Sequence, residues 1–196
     1  MSQEIEIEFK NLINNQQYQT LLNVYSSLKG PTFEQVNHYF DTESFLIKAS
    51  RSALRVRYKG NYYVLTLKQP HPEGLLETHQ PINDVEFATL KEHGTIPNGE
   101  ISTQLSELLG ESVPKLAYLG HLTTTRTEIQ LDEGLLVLDK SSYFDQVDYE
   151  IEFECEEASS GRRAFNKLID SWGLTWKEPE NKIQRFYHAK LKSDNR

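Results

Sequence analysis

Carboxylates recur at every second position in two stretches of this chain. Glu4, Glu6 and Glu8, followed by Lys10, alternate with Ile5, Ile7 and Phe9, and Glu150, Glu152 and Glu154 alternate with Ile151 and Phe153. Successive side chains of an extended strand point to opposite faces, so each stretch puts its charges on one face and its apolar residues on the other. Oxygen donors gathered in this way suit hard divalent cations. The same spacing collects cations elsewhere: Arg55 and Arg57 in Ala-Leu-Arg-Val-Arg-Tyr, Lys68 in Val-Leu-Thr-Leu-Lys, and Arg126 in Thr-Thr-Arg-Thr-Glu-Ile. Arginine offers a planar donor fork that matches phosphate oxygens, and two of them at i and i+2 can grip neighbouring phosphoryl groups. Taken alone, each stretch reads as an antiparallel strand with its charges in water. Taken together, two acidic rows repel if they lie side by side, so positive charge is expected between them.

Positioning these residues requires strands whose apolar faces are covered. If the strands close into a barrel with helices outside, the ionic faces line a polar tunnel. Tyr18, Leu21, Leu22, Tyr25 and Leu28 fall at helical spacing after Asn14 and Asn15, predicting an amphipathic helix ended by Gly30-Pro31. Strands are expected at 33–41, 53–59, 62–69, about 75–82, 116–130, 135–140 and 148–156, besides the first. Gly60-Asn61 reads as a two-residue hairpin turn. Residues 84–112 read as a helical insertion, 85–93 and 101–109, capping one tunnel mouth as a lid. A further helix is expected from Ser159 or Ser160 to Trp172, followed by Gly173 and a terminal stretch 177–192.

The bulk properties narrow the function. With 196 residues the chain reads as one domain, 1–196, long enough to bury a core. Its 21 basic and 29 acidic residues give a net charge of -8, which argues against a nucleic-acid or anionic-membrane partner. A small anion can still bind where cations are concentrated. No glycine-rich phosphate loop is present, so phosphate must be held by side chains. The six histidines show no metal-ligand spacing, and Cys155 is the only cysteine, which excludes an intrachain disulfide. No secretion signal follows Met1, so a cytoplasmic protein is expected.

The ordered set Glu6-x-Glu8-x-Lys10, Arg55-x-Arg57, Lys68, Arg126, Asp139 and Glu150-x-Glu152 resembles the CYTH superfamily, the triphosphate tunnel metalloenzymes. The family includes class IV adenylate cyclases, thiamine triphosphatases and inorganic triphosphatases. The resemblance spans essentially the whole chain and implies an α+β fold: a closed eight-stranded antiparallel β-barrel, the triphosphate tunnel, with helices packed outside. It implies phosphate binding by Lys10, Arg55, Arg57, Lys68, Arg126 and Lys182, and Mg²⁺ or Mn²⁺ binding by Glu6, Glu8, Asp139, Glu150 and Glu152. Lys10, Glu8 and Glu152 are the expected catalytic residues. The expected substrate is a small-molecule triphosphate. Hydrolysis of inorganic triphosphate, a nucleoside triphosphate or thiamine triphosphate is preferred over cyclisation of ATP to cyclic AMP, since no adenine pocket can be identified. A non-catalytic polyphosphate- or nucleotide-binding protein is the third possibility.

Overall fold

The computed structural model describes residues 2–110 and 112–194. Among these residues, nine strands and six helices alternate in an α+β arrangement. The chain runs β1 (Ser2–Glu6), β2 (Glu8–Ile13), α1 (Asn15–Val24), β3 (Lys29–Thr42), α2 (Leu46–Ala49), β4 (Ala53–Lys59), β5 (Tyr62–His71), β6 (Gly74–Ile82), α3 (Asp84–His93) and α4 (Glu100–Leu109). It continues with β7 (Leu116–Leu131), β8 (Gly134–Tyr143), β9 (Gln146–Glu154), α5 (Ala158–Ser171) and α6 (Lys182–Asp194). The strands are hydrogen-bonded in the order β1-β6-β5-β4-β3-β7-β8-β9-β2. Strands number nine where eight were expected, because the N-terminal stretch divides. Its first half belongs beside β6 and its second half beside β9.

The chain forms two compact units, the N-terminal residues to Ile5 with Gln35–Leu122, and Glu6–Glu34 with Thr123 onward. Each has its own core. In the first, the alternation of β4 and β5 delivers Leu54, Val56, Leu65 and Leu67 to one face, where Phe87 and Leu90 of α3 and Ile101 and Leu105 of α4 cover them. Phe87, Leu90, Ile101 and Leu105 are therefore committed to that core. Gly60 and Asn61 join β4 to β5 with φ of 57° and 69°, the left-handed pair that a tight hairpin with the natural strand twist requires.

In the second unit Phe9, Ile129, Leu136, Leu138, Ile151 and Phe153 share a core with Tyr18 and Leu21 of α1 and with Phe165 and Ile169 of α5. The spacing that predicted α1 holds only to Val24. Asn14 fixes the start with a reciprocal capping box with Gln17. Gly30 and Pro31 then lie inside β3 instead of ending the helix. No helix among the described residues is long and apolar enough to cross a membrane.

One buried carboxylate pins the connection between β3 and β4. Asp41 is fully buried and accepts backbone N–H bonds from Thr42 at 2.7 Å, Ile47 at 3.0 Å and Lys48 at 3.0 Å. Asp41→Ala leaves those donors without an anion, and a loss of about 3 kcal/mol is expected. Urea unfolding monitored by circular dichroism measures it; an unchanged midpoint would show that water replaces the carboxylate.

Candidate active site

The second unit gathers most of the expected site residues. Strands β2 and β9 are direct antiparallel neighbours, with Lys10 opposite Glu152 and Glu8 opposite Glu154. The second half of the first acidic stretch, from Glu8, thus lies beside the other with no cationic strand between them, while Glu4 and Glu6 belong to β1 beside β6. The compensating charge comes from Lys10 in β2 itself, from Arg126 of β7 and from the first turn of α6.

Strand register brings Arg126 opposite Asp139, and Asp139 opposite Glu150. Arg126 donates through Nε and Nη2 to the two oxygens of Asp139 at 2.9 and 2.7 Å, and through Nη2 to Glu152 at 2.5 Å. Lys182 at the start of α6 reaches Asp139 at 2.8 Å and Glu150 at 2.9 Å, and also pairs with Glu152. Lys10 donates to Glu8 at 2.5 Å. Because Ile151 and Phe153 fill the core on the other face, Glu150 and Glu152 are held on this one, both buried.

Burial works against ionising such groups, and here the partners win. Desolvation pushes the Glu152 carboxyl up, but Lys182, Arg126 and Lys10 hold it well below the usual carboxylate range. Burial lowers Lys182, Arg126 and Lys10 in the same way, and the surrounding carboxylates raise all three above their ordinary values. Glu154 is the exception. Burial pushes its pKa up to about 7; Arg126 opposes this, while Glu152, Glu6 and Glu8 add to it. The oxygen donors gathered here, from Glu8, Asp139, Glu150 and Glu152, are of the hard kind that suits Mg²⁺ or Mn²⁺.

Arg185, three residues after Lys182, joins the same group. It donates from Nε to Asp148 at 2.8 Å and from Nη2 to Glu150 at 2.8 Å. The sequence places it beside Lys182 on one helical turn, and that spacing was the available signal for it.

The first unit holds Arg55, Arg57 and Lys68, on the faces of β4 and β5 opposite its core. Arg55 and Lys68 converge on Glu77 of β6, which lies opposite Lys68 in register. Arg57 donates to Asn37 of β3 at 3.0 Å. The Nε of Arg55 is buried without a hydrogen-bond partner, so this guanidinium retains a donor for an anion. A further group was not expected from the sequence. His79 Nε2 lies 3.1 Å from Glu4 and 3.5 Å from Glu77, while its Nδ1 meets the Thr66 hydroxyl at 3.0 Å. Ligand atoms of Glu4, Glu77 and His79 all lie within 4.8 Å of one another, a spacing that can hold a metal ion. Linear spacing gave no sign of it, because Glu4 and His79 are 75 residues apart.

The chain is similar to known proteins along nearly its whole length. The family model of the CYTH domain matches residues 4–187. "Putative triphosphatase YjbK" of Bacillus subtilis (strain 168) is 43% identical over 194 residues, covering 98% of this chain and 100% of that one. A crystal structure of a Bacillus halodurans protein called a "putative adenylate cyclase" is 40% identical with a TM-score of 0.88, over 95% of this chain and 100% of that one. The Hippeastrum protein HpAC1 shares the fold, with a TM-score of 0.80 at 24% identity over 94% of this chain and 96% of that one.

The raised pKa of Glu154 has a measurable sign. The folded chain holds a proton there up to about pH 7, whereas the ordinary carboxyl releases it at 4.5. Its stabilising contribution is fully present below pH 4.5 and is lost as pH rises to 7. Glu154→Gln cannot ionise, so its melting temperature relative to wild type is expected to rise across that window. A difference between the two proteins that is the same on both sides of the window would show that Glu154 titrates normally.

Proposed function

We propose that this chain, which belongs to the CYTH domain family, hydrolyses a small-molecule triphosphate with a divalent cation bound among its carboxylates. The observation that carries this is the cluster of the second unit, where oxygen donors for a hard cation and nitrogen donors for phosphate are interleaved at hydrogen-bond distance. The name of the Bacillus subtilis relative supports the same chemistry. The chain is taken as one catalytic domain over 1–196, and the closed tunnel that the family resemblance implies is part of the proposal.

A triphosphate is a row of crowded negative charges, and phosphoryl transfer asks the protein mainly to hold and neutralise that charge. Lys10, Arg126 and Lys182 bind phosphate oxygens in one unit. Arg55, Arg57 and Lys68 supply phosphate-binding donors in the other, with the buried Nε–H of Arg55 still lacking a partner. Glu6, Glu8, Asp139, Glu150 and Glu152 would hold Mg²⁺ or Mn²⁺, with the Glu4, Glu77 and His79 group a second place for an ion. Such an ion, when bound, supplies positive charge to phosphate oxygens and acidity to a water. Lys10, bonded to Glu8 at 2.5 Å and opposite Glu152 in register, orients the attacking water between these two carboxylates, and Glu8 accepts its proton. The water oxygen bonds to phosphorus as the anhydride P–O bond breaks, releasing phosphate.

Cyclisation of ATP is the second reading, favoured by the name of the Bacillus halodurans relative. It would use the ribose 3′ oxygen as nucleophile and release pyrophosphate. The deciding assay follows phosphate, pyrophosphate and cyclic AMP from inorganic triphosphate, ATP and thiamine triphosphate, each with Mg²⁺ or Mn²⁺. Metal-dependent phosphate release is expected, and Arg57→Ala and Glu8→Gln are each expected to lower it roughly 10²- to 10³-fold. Pyrophosphate with cyclic AMP would establish a cyclase. Tight binding without any product would leave a triphosphate-binding protein.

A further inference from the structure

Three carboxylate oxygens of the second unit already converge on one point, and a protein cation occupies it. The ammonium of Lys182 lies 2.8 Å from Asp139 Oδ2 and 2.9 Å from Glu150 Oε2, and it also meets Glu152 Oε1. Asp139 and Glu150 expose 0% and 1% of their side chains, so this shell belongs to the interior. Hard divalent cations take oxygen ligands at roughly 2.0–2.6 Å, closer than the 2.8 and 2.9 Å at which the ammonium meets Asp139 and Glu150, so these oxygens would draw in around an ion placed where the ammonium now is. The two cannot share the position.

Two other cations hold the same carboxylates from the side. Arg126 grips Asp139 and Glu152, and Arg185 grips Glu150. The three carboxylates therefore keep cationic partners when Lys182 leaves. Lys182 is also the first residue of α6, so a rotation of its side chain withdraws it while Arg185 stays in place.

We propose that Lys182 is a resident counter-cation, which a divalent ion must displace from Asp139, Glu150 and Glu152, and that the displaced ammonium becomes available to the anionic substrate. This rests on the metal-dependent reading above. Before the exchange, the three carboxylates neutralise the lysine and leave it little attraction for phosphate. Afterwards a doubly charged ion satisfies them, and the freed ammonium needs a new anion. Cation binding thus comes first and equips the site for triphosphate.

Two measurements with Mn²⁺ alone test the exchange without any turnover. In the wild-type protein, amine acylation located by mass spectrometry is expected to label Lys182 poorly without Mn²⁺ and several-fold more with it. By electron paramagnetic resonance, Lys182→Gln is expected to bind Mn²⁺ about tenfold more tightly than wild type, because the competitor is gone. Mn²⁺ binding with unchanged Lys182 labelling, or equal or weaker binding by the variant, would overturn the exchange while leaving the metal site standing. No Mn²⁺ binding by the wild type would overturn the metal-dependent function itself. Should the variant fail to fold, the wild-type labelling decides alone.

Discussion

The pairing of β2 with β9 is the constraint on which the ionic side of the second unit depends. It sets Glu8 directly opposite Glu154 and puts Glu150 and Glu152 in the same neighbourhood. Like charges facing one another across a ladder destabilise it, and burial raises the cost. The chain answers with cations from three separate places: Lys10 in β2, Arg126 in β7, and Lys182 with Arg185 in α6. At Glu154 burial outweighs the Arg126 guanidinium 3.6 Å away, and the carboxyl's pKa is pushed up to about 7.

The apolar faces of the same strands impose the complementary demand. Ile151 and Phe153 must be buried for Glu150 and Glu152 to share the opposite face, and α1 and α5 do the burying. In the first unit Leu54 and Val56 play that part for Arg55 and Arg57, beneath α3 and α4. A slip of one residue in any of these strands would exchange the two faces. The cores therefore fix the register, and the register fixes which charges meet. Chemistry and folding are tied together through the two-residue period of the strands.

Much of this arrangement is legible in the order of the residues. The alternation at Glu4 to Lys10, Ala53 to Lys59 and Gln146 to Glu154 is strong because each strand carries two unlike faces. The Gly60-Asn61 turn is legible because a tight hairpin needs positive φ at both positions. The end of α1 is not, since Leu28 continues the helical spacing while pairing within the sheet claims Lys29 onward for β3. Nor is the division of the first strand at Ile7. Nothing local to Glu4-Ile-Glu-Ile-Glu-Phe-Lys says that its two halves have different partners.

The sequence by itself determined which side chains share a face, because strand geometry makes that a matter of parity, and it carried the ordered residues by which the family is known. Only the tertiary structure decided which faces meet. Glu4 finds His79 through the pairing of β1 with β6, the two acidic stretches become neighbours through β2 and β9, and Lys182 reaches Asp139 from a helix 43 residues away. Those meetings depend on contacts between distant segments. Their free energy comes from burying whole faces together, a quantity that no local pattern of residues contains.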